Sequence, residues 1–102
     1  MQGYKDLLVW QKAMDLVVAI YRLTKSFPRS ETYGLANQMQ RAAVSIPSNL
    51  AEGHGLKQTQ AYIRHIAIAS GSLAELETQL EISGRLGYVS PEEKHVGCRT
   101  SQ

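Results

Sequence analysis

Several side chains able to do chemistry fall close together in the segment SIPSNLAEGHG, residues 45–55. Asn49, Glu52 and His54, together with His65 further along the chain, are residue types that hold metal ions or transfer protons. Metal binding is the weaker of these two chemical interpretations, because His54 and His65 are eleven positions apart across a predicted helix break. Histidine pairs that bind one ion from a single helix are typically four positions apart.

A structural interpretation explains the same segment without catalysis. Pro47 removes one backbone hydrogen bond from a helix and bends it, at a cost of about 3 kcal/mol. Ser45, Ser48 and Asn49 could then bond the backbone groups that are freed there. We favour this interpretation, because a catalytic site requires a convergent pocket that spacing alone does not establish. We therefore expect no catalytic residue, no metal and no cofactor.

The end of the segment has a structural interpretation as well. Gly53 and Gly55 are predicted to end the helix, since glycine accepts the left-handed backbone conformation found at helix C-termini. Glu52 is expected to pair with a cation such as Arg41 or Arg64. The predicted structural joint comprises Pro47, Asn49, Glu52 and Gly53.

Three stretches of apolar residues with helical spacing must position these side chains. Recurrence at intervals of three and four residues predicts helices over about 8–26, 31–53 and 59–86. The sequence SPEE, from Ser90, matches a capping box with proline at the first helical position and predicts a short fourth helix over about 91–96. The expected fold class is therefore all-α, an up-and-down helical bundle of the four-helix type.

Two local details refine this prediction. Ser30 is expected to cap the second helix, with Glu31 in its first turn. The sequence ASGS, residues 69–72, places small side chains within the third helix. Because Gly71 costs about 1 kcal/mol relative to alanine in a helix, we expect it to mark a close contact with another helix.

Length and composition limit the remaining possibilities. The chain of 102 residues is predicted to form a single helical-bundle domain over 1–102, with an irregular tail over 97–102. Its lone cysteine, Cys98, excludes an intramolecular disulfide and a cluster of cysteine ligands. The sequence contains neither the apolar core of a secretion signal nor an apolar run that approaches the length of a membrane span. We expect a cytoplasmic protein with no membrane partner and no small-molecule substrate.

Three motifs match a known family: LLVWQKA, YGLANQMQRAAVSIPSNLAEG and IASGSLAELETQL, which together fall within about residues 4–90. In these motifs the chain resembles the 23S rRNA intervening-sequence proteins, a family of four-helix bundles. The resemblance implies a cytosolic bundle that assembles into a ring-like homo-oligomer and has no assigned enzymatic activity. Members of the family continue into a full fourth helix, so the short one expected here departs from the pattern.

The resemblance also implies a role with RNA or another nucleic acid, because related bundles accompany the reverse transcriptases of retroelements. Residues 1–30 contain five basic and two acidic residues. Lys12, Arg22 and Lys25 fall on the polar arc of the first helix, where they could meet phosphates, although a solvated outer face explains them equally well. The alternative function is a structural assembly or protein adaptor that binds no nucleic acid.

The apolar arcs make a further prediction about surfaces. Trp10, Tyr21 and Tyr62 are assigned to the core rather than to base stacking, because they lie on apolar stripes. Broad arcs with a short fourth helix predict an uncovered apolar groove and therefore self-association. The end of the third helix, which is acidic, could face the basic first helix of a neighbouring copy. The acidic residues concerned are Glu75, Glu77 and Glu81.

Overall fold

The computed structural model of the protein describes residues 3–94, and three long helices dominate this part of the chain. We name them α1 (Leu8–Thr24), α2 (Leu35–Gly55) and α3 (Thr59–Arg85). Short 3-10 helices at Gly3–Asp6 and Arg29–Glu31 precede α1 and α2. Residues 3–94 contain no strand, and the predicted all-α helical bundle is confirmed.

The start of α2 differs from the prediction. The helix begins at Leu35 rather than near residue 31, because Arg29–Glu31 closes a separate 3-10 turn. Ser30 therefore does not cap it. The Leu35 amide donates to Glu31 Oε1 at 3.0 Å, so a carboxylate satisfies one free N–H at the positive end of the helix dipole.

The central helix of the molecule is α2, which packs against both α1 and α3. In the described part of the chain, α1 and α3 share no close backbone contact. Paired residues show that α2 and α3 run antiparallel: Ser83 meets Met39 near one end of α3, and His65 meets Asn49 near the other. The largest fully buried side chains include Leu16, Ile20, Met39 and Leu76, which are drawn from all three helices.

The predicted capping box after α3 is present. The Ser90 amide donates to Glu93 Oε1 at 2.8 Å, and the Glu93 amide donates to Ser90 Oγ at 3.1 Å. Residues 91–94 are helical, and Lys94 Nζ lies 3.0 Å from Glu81 Oε1, which ties this turn to α3. The predicted end of the fourth helix near residue 96, the tail over 97–102 and Cys98 lie outside the described residues.

The three aromatic residues assigned to the core differ in burial. Trp10 is half-buried against the core and makes an edge contact with Tyr4, with ring centroids 5.4 Å apart. Tyr62 is half-buried at the α2/α3 contact. Tyr21 is 43% exposed, so its assignment to the core is wrong.

None of the helices within residues 3–94 combines the length and the apolar composition needed to cross a bilayer.

Candidate functional site

Pro47 lies inside α2, and the helix continues beyond it to Gly55. The predicted helix end at the two glycines is wrong in its mechanism. Gly53 is buried within the helix, and the left-handed residue after α2 is Lys57, with φ of 53°. The sequence predicted that Gly53 ends the helix. Glycine is instead needed at this position because of the α3 side chains that lie against it.

Gly53 allows α2 and α3 to approach closely. A Cβ atom at this position would lie 2.7 Å from His65 Cβ and 3.3 Å from Tyr62 Cδ1. Because the nearer atom belongs to the base of a side chain, the helices would have to move apart to admit it. Gly71, where a close helix contact was predicted, is exposed, and a Cβ there would meet no atom within 4 Å. Within the described chain, that prediction is wrong for Gly71.

A polar network crosses the same α2/α3 contact. Ser72 Oγ donates to Ser45 Oγ at 2.8 Å, and Asn49 Nδ2 donates to the Ser45 carbonyl oxygen at 2.8 Å. His65 Nδ1 lies 2.9 Å from Asn49 Oδ1. Since the amide nitrogen of Asn49 is already donating, its oxygen is the acceptor and His65 Nδ1 carries the proton. We call Ser45, Asn49, His65 and Ser72 the polar network.

Glu52 lies at the edge of the polar network. Its Oε2 is 3.8 Å from His65 Nε2, and its side chain is 64% exposed, against 13% for His65. The expected pairing with Arg41 or Arg64 is wrong. Arg41 is about 16 Å away along the helix axis at 1.5 Å per residue, and Arg64 is exposed on α3. Glu52 therefore makes a long contact with an imidazole instead of a close ion pair.

This geometry limits the chemistry of the network. His65 contacts the Asn49 amide and neither serine hydroxyl, whereas an imidazole that activates a nucleophile must be hydrogen-bonded to it. His54 makes an edge contact with the Tyr62 ring, with centroids 6.3 Å apart. Within residues 3–94, no three histidine, cysteine or acidic side chains converge as metal ligands would. The network joins two helices through satisfied polar groups.

The basic residues predicted to meet nucleic acid are exposed on α1 and at its end. Lys12, Arg22 and Lys25 make no ion pair within residues 3–94. Asp15, also exposed, lies between Lys12 and Arg22 on the same polar arc. Lys25 additionally lines a depression of about 280 Å³ with Arg29, beside the end of α1. We call Lys12, Arg22 and Lys25 the basic face.

Two open grooves flank α2. The apolar groove, between α1 and α2, has a volume of about 370 Å³. Met14 and Val44, which line it, are 40% and 39% exposed. We define the apolar groove by Tyr4, Trp10, Met14, Val17, Val44, Pro47, Ser48 and Ala51.

The second groove lies between α2 and α3 and has a volume of about 390 Å³. Its lining is largely polar and includes Tyr33, whose side chain projects from the turn before α2 and is 93% exposed. We define the polar groove by Tyr33, Asn37, Gln38, Arg41, Ala42, Ser45, Ser72 and Glu75.

The family model for the 23S rRNA-intervening sequence protein matches residues 5–97. The chain belongs to this family. A search of curated proteins found no significant match. The matched span includes all three long helices, the polar groove, the basic face and every residue of the apolar groove except Tyr4.

Sequence reasoning anticipated an apolar groove but missed the polar groove of this intervening-sequence protein. The groove joins residues near the start of α2 to Ser72 and Glu75 on α3, which are far apart in sequence. One local pattern could have drawn attention to it. Tyr33 is an aromatic residue outside every apolar stripe, next to Gly34 in a connection between two helices.

Proposed function

We propose that this protein is a non-enzymatic, self-associating helical bundle that binds RNA or another nucleic acid through the basic face. The observation that carries the proposal is the exposure of Lys12, Arg22 and Lys25 without ion-pair partners in the described chain. Exposed, unpaired cations can meet phosphates without disturbing the core. The name of the family, which refers to a sequence within ribosomal RNA, supports RNA as the nucleic acid.

Self-association is part of this proposal, because one copy has a net charge of only +2 and would bind a polyanion weakly by itself. An assembly repeats the basic face, and linked contacts gain affinity through effective concentration. The apolar groove provides the surface for a second copy of the chain. Met14 and Val44 in this groove are exposed. The end of α3 is acidic and the first thirty residues are basic, so two copies can meet with opposite charges facing each other.

The nucleic-acid proposal is tested by titrating RNA into the assembled protein at several salt concentrations. For single strands, the slope of log K against log salt is about −0.7 for each phosphate contact. We expect the variant Lys12→Ala, Arg22→Ala, Lys25→Ala to bind more weakly than the parent and to lose about 2 from the magnitude of that slope.

Two single variants provide controls of charge and place. Arg22→Ala removes an exposed arginine from the basic face. Arg64→Ala removes an arginine from α3 that is also exposed. Only the first is expected to weaken binding. Asp15→Asn removes the anion that lies between Lys12 and Arg22, and it should tighten binding. Equal affinity of the triple variant and the parent would reject the basic face as the binding surface.

Self-association is tested by sedimentation of groove variants. Met14→Lys and Val44→Lys place a charge in the apolar groove and should shift the protein towards monomer, because an unpaired charge is costly at a buried interface. Ile82→Lys is the matched control, since Ile82 is 43% exposed and does not line the groove. A parent that sediments as a monomer at every concentration would contradict the proposal.

A structural assembly or protein adaptor is the second candidate function. The apolar groove favours it, because exposed apolar patches mark protein interfaces whether or not nucleic acid is involved. The two functions separate in one result: an adaptor assembles through the groove and binds no RNA at low salt.

A further inference from the structure

The polar groove is an open surface whose main side chains are not used by the fold. Tyr33, Asn37, Gln38 and Arg41 make no side-chain hydrogen bond or ion pair within residues 3–94. Asn37 and Arg41 are four residues apart on α2, so they project along one stripe of the helix. Their donors and acceptors face the groove without a partner among residues 3–94.

The remaining polar side chains of the groove have hydrogen-bond partners within the described residues. Ser45 and Ser72 are hydrogen-bonded to each other at 2.8 Å. Glu75 accepts a hydrogen bond from Gln79 Nε2 at 3.3 Å. The other amide atom of Gln79, Oε1, is buried without a hydrogen-bond partner in the described residues. Glu75, an exposed acceptor on α3, thus lines the groove together with the free groups of α2.

An exposed aromatic ring beside a guanidinium and two amides matches what single-stranded RNA requires of a protein. Unpaired bases stack on aromatic rings, their edges bond amides and carboxylates, and a neighbouring phosphate accepts from arginine. A volume of about 390 Å³ falls in the range of sites for small organic groups. The polar lining fits a base edge better than an apolar protein side chain.

We propose that the polar groove binds a nucleobase of single-stranded RNA, stacked on Tyr33, with Arg41 at the adjacent phosphate. Asn37 and Gln38 contact the base edge, and Glu75 accepts from an exocyclic amino group. This inference rests on the proposed function, because it names the chemical part of the RNA that the protein reads. The groove is formed by α2 and α3 and by the turn before α2, whereas the basic face belongs to α1 and its end, so the two can be tested separately.

The experiment compares a short single-stranded RNA with an abasic strand of the same length and charge. Binding of both strands at low salt measures the phosphate contacts of the proposed function. A preference of the parent for the strand with bases measures the polar groove. We expect Tyr33→Ala to weaken binding of the ordinary strand by about 5-fold to 150-fold. Its affinity for the abasic strand should equal that of the parent.

Two tyrosine variants are the controls. Tyr33→Phe keeps the ring and should bind like the parent. Tyr21→Ala removes an exposed tyrosine from α1, outside the polar groove, and should retain the preference for bases. Because Tyr33 is almost fully exposed, its loss should not affect folding, which thermal unfolding checks. A fluorescent base analogue in the strand should be quenched by the parent and by Tyr33→Phe, but not by Tyr33→Ala.

Each other outcome overturns a distinct claim. Equal binding of the two strands by the parent rejects the nucleobase site while the phosphate-binding function stands. Binding of neither strand rejects the proposed function itself. If Tyr33→Ala disrupts assembly and leaves the preference for bases intact, the groove is an interface between proteins and the nucleobase proposal is wrong.

Discussion

The two sides of α2 use different chemistry. Towards α3, helix contact is close at Gly53, and the polar network of Ser45, Asn49, His65 and Ser72 satisfies the groups that this contact buries. Towards α1, the two helices leave an open groove between them, lined by Trp10, Met14 and Val44. The first side contributes to the stability of a single copy. The second leaves apolar surface available to another molecule, so changes on the two sides should have different consequences.

The largest effect on stability is expected at Gly53. Gly53→Ala should destabilise the protein by about 3 kcal/mol, the upper end of the range for overpacking, because its Cβ would meet His65 Cβ at 2.7 Å. Chemical unfolding at fixed protein concentration measures the change.

Gly71→Ala is the matched control, since a Cβ there meets nothing within 4 Å and alanine is the better helix former. It should stabilise the protein by up to about 1 kcal/mol. Equal stabilities of the two alanine variants would show that α2 and α3 are not held in close contact at Gly53.

A somewhat smaller loss is expected for Asn49→Ala. The substitution removes the partner of His65 Nδ1 and two donor contacts to Ser45, and it should cost about 2 kcal/mol. Glu52→Ala, which removes only an exposed group 3.8 Å from His65, should change stability by less than about 0.5 kcal/mol. Thermal unfolding measures both losses. A larger loss for Glu52→Ala than for Asn49→Ala would contradict this prediction.

The contact between Glu31 and Tyr88 should give a pH-dependent effect at high pH. The Tyr88 hydroxyl donates to Glu31 Oε2 at 3.0 Å, and this hydrogen bond, together with burial, raises the pKa of Tyr88. Its contribution to stability is therefore present below the ordinary tyrosine pKa and is lost as the pH rises through the raised value. In Tyr88→Phe, unfolding measured across this alkaline range should lose that part of the pH dependence. An unchanged profile would reject the contact.

The smallest effect is expected for Glu81, which is exposed. Hydrogen bonds from Lys94 and Arg85 lower the pKa of Glu81, so their contribution is present at neutral pH and is lost as the pH falls through the lowered value. Glu81→Gln should slightly destabilise the protein at about pH 7, and the difference from the parent should shrink and vanish as the pH is lowered through the pKa of Glu81. A difference that persists in acid would assign the effect to something other than charge.

Periodicity was sufficient to predict the helices, because α1 and α3 present regular apolar stripes to one neighbour. The predicted start of α2 was wrong, since Ser30 and Glu31 both suit a helix start and only the geometry of the 3-10 turn selects Glu31 as the cap. Residue type could not distinguish a glycine that ends a helix from one that admits a second helix. Gly53 required knowledge of what lies opposite it on α3.

The candidate sites were harder to predict than the helices, because their contacts depend on the register between helices. Asn49 and His65 are sixteen positions apart on different helices, and nothing local in the sequence pairs them. The predicted partner of Glu52 was wrong for the same reason. The cations of the basic face, by contrast, were correctly placed on the surface, because the polar arc of an amphipathic helix is a property of that helix alone.

Glu31 links two events that are distant along the chain. One carboxylate oxygen accepts the Leu35 amide at the start of α2, and the other accepts the hydroxyl of Tyr88, 57 positions from Glu31. The first contact can form as soon as the turn closes, whereas the second requires α3 to have docked. Hydrogen exchange of the Leu35 amide should therefore slow in two stages during refolding, and its final protection reports the arrival of the segment that follows α3.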